Sequence, residues 1–205
     1  ATRYKGNTAG IYGYNLVNEP NNYLLADFDY WTAQKLVANE IRRIDPETPI
    51  IVECNNCSCA THFVYMKPIR LRNIIYQGHF YLPFLFTHQG VKGRADGFVY
   101  PCPERGWNKA SLERDFTAML NFRRKYGARL YMGEYSAATW SQGGDAWVKD
   151  VTDLLNKHKM DWTYHSFREW FGWDSELVYD FKTKKFDRPA AAPRWRILKA
   201  GFRGE

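Results

Sequence analysis

Short apolar runs alternate along the chain with longer segments in which apolar side chains return every three or four positions. The first run, GIYGYNLV at 10–17, predicts a strand, and DYWTAQKLVANEIRRID from Asp29 predicts a helix. In that helix Trp31, Leu36, Val37, Ile41 and Ile44 recur near helical spacing, and Asp45-Pro46 ends it. PIIVEC at 49–54 is a β-branched strand of the kind a parallel sheet buries on both faces. The next segment, ATHFVYMKPIRLRN, is short and broken by Pro68. NIIYQGHFY predicts a third strand, which runs into a long loop containing LPFLFTHQG and YPCPERGWN. Such length on one side of a sheet is commonly where function lies.

Ser111, with Arg114 and Asp115, opens a predicted helix, SLERDFTAMLNFRRKYG, which Gly127 closes in a left-handed cap. ARLYMGEYS predicts the fourth strand, GGDAWVKDVTDLLNKHKM a helix, DWTYHSFREW the fifth strand and APRWRILKAGF a final helix. This rhythm is βαβ, and it predicts one α/β domain over 1–205 with five parallel strands and about as many helices.

Composition narrows the function. At 205 residues, 45% hydrophobic, the chain can bury one sizeable core. Eight Trp, 14 Tyr and 13 Phe are more rings than that core requires, so some are expected to face a ligand, and sugar rings are one such ligand. The net charge of +7 is spread over short helical clusters such as Arg42-Arg43 and Arg123-Arg124-Lys125. These read as solvated helix faces, so no nucleic-acid partner is expected. No run approaches the roughly 20 apolar residues of a membrane span, and ATRYKGNTAG has no apolar leader core. The chain is expected to be secreted, with its leader absent from this sequence.

Four cysteines stand at 54, 57, 59 and 102. Cys54, Cys57 and Cys59 with His62 could ligate zinc, but zinc sites usually use two separated pairs. A disulfide from Cys57 or Cys59 to Cys102 is preferred over free thiols and over zinc.

In parallel α/β proteins the reacting groups project from the carboxyl ends of strands. Two carboxylates hold that position here: Glu19 after YNLVN and Glu134 after RLYMG. Cleavage of a glycosidic bond needs such a pair, one protonating the departing oxygen and one facing the developing oxocarbenium centre. An ionised partner also raises its neighbour's pKa and keeps it able to donate.

GYNLVNEP together with LYMGEYS resembles the strand tips of the retaining family 5 glycoside hydrolases. The resemblance implies that Glu19 is the acid/base, that Glu134 is the nucleophile, and that Asn18 bonds the sugar 2-hydroxyl. YQGHFYLPFLFTHQG is similar to the family's sixth strand, with His79 and Tyr81 two residues apart and therefore on one face. Tyr81 is then expected to hydrogen-bond the nucleophile and His79 to contact the sugar. DWTYHSFREWFGWD resembles the eighth strand, whose Trp floors the cleavage subsite. Trp170 is the choice for that role, with Trp173, Trp162 and His165 as alternatives, and Trp107 and Trp140 as more distant platforms.

The resemblance covers strands four to eight of a TIM (β/α)8-type barrel, so a truncated barrel is expected. Nothing in residues 1–12 can replace the Arg and His that the family carries on its second and third strands. Five strands leave unpaired edges, which implies a homo-oligomer covering the open side. The implied activity is retaining hydrolysis of β-1,4-glucan without cofactor or metal, with transfer to acceptor sugars as a further outcome. A catalytically impaired, carbohydrate-binding half-barrel is the alternative.

Overall fold

The structure, a computed structural model, describes residues 1–22 and 29–204. Five parallel strands form one sheet: β1 (Tyr14–Asn15), β2 (Ile50–Glu53), β3 (Ile74–Phe80), β4 (Arg129–Tyr135) and β5 (Asp161–Trp162). Their order in the sheet is their order in the chain, and among the described residues the sheet does not close into a barrel. By internal contacts the chain divides into two compact units, residues 1–79 with 117–131, and residues 80–116 with 132–205.

In the first unit, Ile50, Ile51, Val52 and Glu53 of β2 are all buried, as a doubly covered strand requires. Helix α1 (Tyr30–Ile44) starts at Asp29, whose side chain accepts from the Thr32 N–H. It ends at Asp45, which is fully buried. Burial opposes the charge of Asp45, yet hydrogen bonds from the Thr48 N–H and hydroxyl, the Glu47 N–H and the Tyr14 hydroxyl hold its carboxyl well below the usual range. Beneath β3, the rings of Tyr76 and Phe63 pack against Phe122 of helix α4 (Thr117–Tyr126), with centroids 4.8 and 5.5 Å away.

The second unit is built on Phe80, whose ring meets Phe116 edge-on at 4.6 Å and stacks on Trp147 at 6.0 Å. Trp147 belongs to helix α5 (Gly144–Lys157), which buries Val148, Val151, Leu154 and Leu155 on the same face. Gly143 precedes α5 at φ +87°, and a Cβ there would lie 1.8 Å from the Tyr100 carbonyl oxygen, so only glycine fits. Helix α6 (Pro193–Arg203) buries Arg194, which donates to the Ala137 carbonyl at 2.6 Å and to Asp145 at 2.9 Å. That cation ties the chain just beyond β4 to both helices.

Several expectations need correction. All four cysteines are free, so the disulfide from Cys57 or Cys59 to Cys102 is not formed. The Cys54 thiol meets the Cys59 carbonyl, Cys59 meets the Thr61 hydroxyl, and Cys102 meets the Glu104 carboxylate. The helix expected from Ser111 begins earlier, capped by Asn108, with Ser111 as the third residue of a capping box. It is split into α3 (Lys109–Asp115) and α4. The loop after β3 holds a short helix, α2 (Phe84–Thr87). An antiparallel hairpin, β6 (Val178–Asp180) and β7 (Lys185–Asp187), precedes α6 where no strand was expected.

The first and fifth strands are shorter than their apolar patterns. β1 spans Tyr14 and Asn15, one further backbone bond runs from the Leu16 N–H to the Ile51 carbonyl, and the chain then turns at Glu19, which has φ 50°. β5 ends at Trp162, but backbone bonds from Thr163 N–H to Met132 and from His165 N–H to Tyr135 continue beyond it. The expectation of a strand reaching Trp170 therefore holds in hydrogen bonding as far as His165.

Candidate active site

Strand periodicity sorts the side chains of β3. Tyr76 turns toward α4 and Phe80 toward α5, so Gln77 and His79 face the opposite side of the sheet, as does Tyr81 just past the strand. On β4, Tyr135 bonds Thr152 of α5, which leaves Glu134 facing away from that helix.

In the first unit, His79 is 1% exposed and its Nδ1 lies 2.9 Å from Oε1 of Glu19. His79, expected to contact the sugar, thus makes a buried contact with the Glu19 carboxylate. Its Nε2 lies 2.9 Å from Nε2 of Gln77. Gln77 Nε2 also donates to Glu53 Oε1 at 2.7 Å, while Gln77 Oε1 accepts from Asn15 Nδ2 at 3.3 Å. One hydrogen placement satisfies these contacts. The Gln77 amide donates one N–H to Glu53 and the other to His79, so His79 Nε2 accepts and Nδ1–H donates to Glu19. His79 is then neutral.

Glu53 is a carboxylate at the end of β2 and is fully buried. Besides Gln77 it accepts from Asn15 Nδ2 at 2.6 Å, Ser58 Oγ at 2.5 Å and the backbone N–H of Glu19 at 2.8 Å. Glu19 holds a left-handed backbone at a non-glycine position, a strain of about 1–2 kcal/mol. Its N–H bond to Glu53 and a bond from Cys57 N–H to the Pro20 carbonyl pin that turn. Cys57 is exposed; partial burial, with the Glu19 charge second, pushes its thiol up and away from thiolate character. Asn18 is exposed beside this turn.

In the second unit, the Tyr81 hydroxyl donates to Glu134 Oε2 at 2.7 Å. His165 Nδ1 lies 3.1 Å from the same hydroxyl and 3.5 Å from Glu134 Oε2, while its Nε2 lies 2.7 Å from Glu169 Oε2. Because the Tyr81 proton points to Glu134, its oxygen is left to accept from Nδ1–H. Both ring nitrogens of His165 therefore face oxygen atoms that can accept.

The tryptophans are ordered around Tyr81. Trp173, not Trp170, is in ring contact with it, at 6.0 Å, and His88 touches both Tyr81 and Trp173 at 5.0 Å. Trp170 packs edge-on against Trp173 at 5.1 Å and against Trp140 at 5.9 Å. Gly172 makes room for this packing, because a Cβ there would lie 2.0 Å from the Trp170 ring. Trp140 is anchored by its indole N–H on the Gln89 carbonyl at 2.8 Å. Trp107 lies half-buried among Phe86, Phe98 and the Arg105 guanidinium. Trp162 stacks on Phe202 of α6 at 4.6 Å, in the helical layer.

Reading from sequence missed Glu53, Gln77 and Glu169 and left His165 as an alternative. The signals for two of them were present: Glu53 ends a strand as Glu19 and Glu134 do, and Gln77 stands two residues before His79 on the same face.

The protein is thus of the α/β class, a sheet of parallel strands with glutamates near the ends of three of them. More particularly, residues 1–170 match the model of the cellulase family, glycosyl hydrolase family 5, and the chain belongs to that family. It is 26% identical over 176 residues to cellodextrinase A of Ruminococcus flavefaciens, covering 83% of this chain and 52% of that protein. It is also 26% identical over 156 residues to endoglucanase C of Acetivibrio thermocellus, covering 60% of this chain and 46% of that one. The chain thus spans about half the length of these relatives. Among solved structures, Cel5A of Thermotoga maritima in complex with cellobiose superposes with a TM-score of 0.73 at 21% identity, over 96% of this chain and 62% of that one.

Proposed function

We infer that this chain carries the reacting groups of a retaining β-glycoside hydrolase acting on β-1,4-linked glucans. The observation that carries the reading is the 2.7 Å hydrogen bond from Tyr81 to Glu134, at the end of a parallel strand in a family 5 chain. That donor holds one carboxylate oxygen in place and leaves the other to attack. In the first step Glu134 bonds the anomeric carbon, the glycosidic C–O bond breaks, and Glu19 gives its proton to the departing oxygen. In the second, Glu19 takes a proton from water, the water oxygen bonds the anomeric carbon, and Glu134 is released. A sugar hydroxyl replacing water in the second step gives transglycosylation. Neutral His79 beside Glu19 donates a hydrogen bond without adding a positive charge that would oppose protonation of the acid.

Trp173, Trp170 and Trp140 offer the apolar ring faces that pyranoses stack on, and Trp173 is the floor best placed relative to Tyr81. The Thermotoga maritima relative is solved both with cellobiose and with mannotriose, so an oligosaccharide is the ligand class it supports, and β-1,4-glucan is our choice within that class. Among the described residues no helix is long and apolar enough to cross a membrane, and a polymeric substrate fits an exported protein. A second copy pairing with β1 remains a proposal that light scattering tests directly.

Azide rescue separates the two glutamates. With an activated aryl β-cellobioside, Glu19→Ala plus azide should yield the β-glycosyl azide, and Glu134→Ala plus azide the α-anomer. Rescue in neither variant, or the same anomer from both, would overturn the assignment.

A further inference from the structure

The most unusual buried group outside the two-glutamate reaction is Glu53. It is a fully buried carboxylate on which four neutral donors converge: Asn15, Ser58, Gln77 and the Glu19 N–H. We propose that Glu53 is a positioning residue that sets the protonation geometry of the acid/base, by fixing the Gln77 amide and through it the tautomer of His79. The proposal rests on the reading of Glu19 as the acid/base, but its first step is independent of any activity.

The argument follows the donors. Gln77 could present either end of its amide to His79. With the oxygen turned toward His79, the same oxygen would face Glu53 Oε1, two acceptors in contact in a buried setting, and the amide nitrogen would face the Asn15 Nδ2 donor. Glu53 and Asn15 therefore allow only the orientation in which Gln77 donates to His79 Nε2. His79 must then carry its single proton on Nδ1, where it meets Glu19 Oε1. A second proton on Nε2 would face the Gln77 N–H.

The same carboxylate fixes the backbone from which Glu19 projects. Glu53 Oε2 holds the Glu19 N–H in its left-handed turn, and the Ser58 hydroxyl on that oxygen anchors a loop in which Asn56, Cys57 and Ser58 are all left-handed. Ser58 also accepts the His79 N–H at 2.7 Å, so the loop joins the ends of β2 and β3. One buried group thus controls both the position of the Glu19 turn and the kind of hydrogen bond its side chain receives.

Nitrogen-resolved imidazole NMR of the wild-type chain at neutral pH tests the first step, with the His79 signals assigned by their loss in His79→Asn. A proton on Nδ1 and a bare Nε2 are expected; an Nε2–H tautomer or a doubly protonated ring would overturn the proposal. In Glu53→Gln the new amide nitrogen invites the Gln77 oxygen to turn, which exposes His79 Nε2 to an acceptor. The expected result is a proton on Nε2, and an unchanged His79 spectrum in the folded variant would overturn the proposal. Should Glu53→Gln not fold, Gln77→Met removes the amide while leaving Glu53, and it should likewise release the tautomer. Kinetics then read the consequence. The kcat/KM of Glu53→Gln on substrates with poor leaving groups should fall by about tenfold or more, within the range of general acid catalysis, with less than about a threefold loss on a dinitrophenyl glycoside. Equal losses on both would assign Glu53 a purely structural role.

Discussion

Two histidines meet the two strand-end glutamates in different settings. In the first unit His79 is buried between the Gln77 amide and Glu19, and the proposed tautomer makes it a neutral donor to that carboxylate. In the second, His165 is partly exposed and lies between the Glu169 carboxylate and the Tyr81–Glu134 pair, with acceptors at both ring nitrogens. The difference matches what the proposed steps ask of each glutamate. In those steps the acid has to hold a proton and the nucleophile has to attack as a carboxylate, so each needs its own set of hydrogen-bond partners. Identical side-chain types are thus distinguished by the second partner each receives, an amide in one case and a carboxylate in the other.

The largest effect that sharpens this contrast comes from the glutamates themselves. Glu134→Gln is expected to lower kcat on the order of 10⁴-fold for every β-glucoside, whereas Glu19→Gln should lose about 10²–10⁴-fold only where the leaving group needs a proton. Steady-state rates on a leaving-group series check this, and a flat response in Glu19→Gln would erase the contrast. Next is Tyr81→Phe, which removes the hydrogen bond to Glu134 and should cost about 1.5–3 kcal/mol in kcat/KM, roughly 10- to 150-fold. A loss under about threefold would mean the hydroxyl does not support the nucleophile.

Glu169→Gln should have a smaller effect, about two- to fivefold, because the Glu169 side chain is 62% exposed and water screens its pairing with His165. His165→Gln should lie above it, since His165 also reaches Tyr81 and Glu134. Equal losses in the two variants would make His165 a mere extension of the Glu169 pair. Asp45→Asn tests the first unit without touching the chemistry. Because the folded carboxyl is held below its ordinary value, Asp45 contributes stability above about pH 4 that is lost as pH falls through the lower folded value. The variant should lower the urea midpoint at pH 7 and flatten its decline toward pH 3, with no change in kcat.

Much of this was legible in the chain because it rests on periodicity and on position at strand ends. The apolar runs at 49–54, 73–81 and 128–136 became β2, β3 and β4 with bounds displaced by only a residue or so, since each is a buried strand with little choice of register. The period of two also sorted the side chains of β3, and His79 lies against Glu19. What could not be read were the features that depend on close packing. Which of four neighbouring aromatic or imidazole side chains would approach Tyr81 depends on the backbone after residue 165, where strand pairing ends and no period applies. The cysteine pairing failed because even spacing cannot say where thiols meet, and the β6–β7 hairpin was hidden in a polar stretch. Glu53 was missed for another reason. A glutamate inside a cysteine-rich stretch drew attention to its thiol neighbours, though the strand-end rule that picked out Glu19 and Glu134 applied to it equally.

The central claim, that Glu134 is the group that bonds the sugar while Glu19 handles the proton, is tested most directly by trapping the intermediate. Incubation with an activated 2-deoxy-2-fluoro-β-cellobioside, followed by peptide mapping, should locate one glycosyl ester on Glu134, with none formed in Glu134→Gln. A label on Glu19, or turnover of the reagent to the inverted product without any label, would contradict the account.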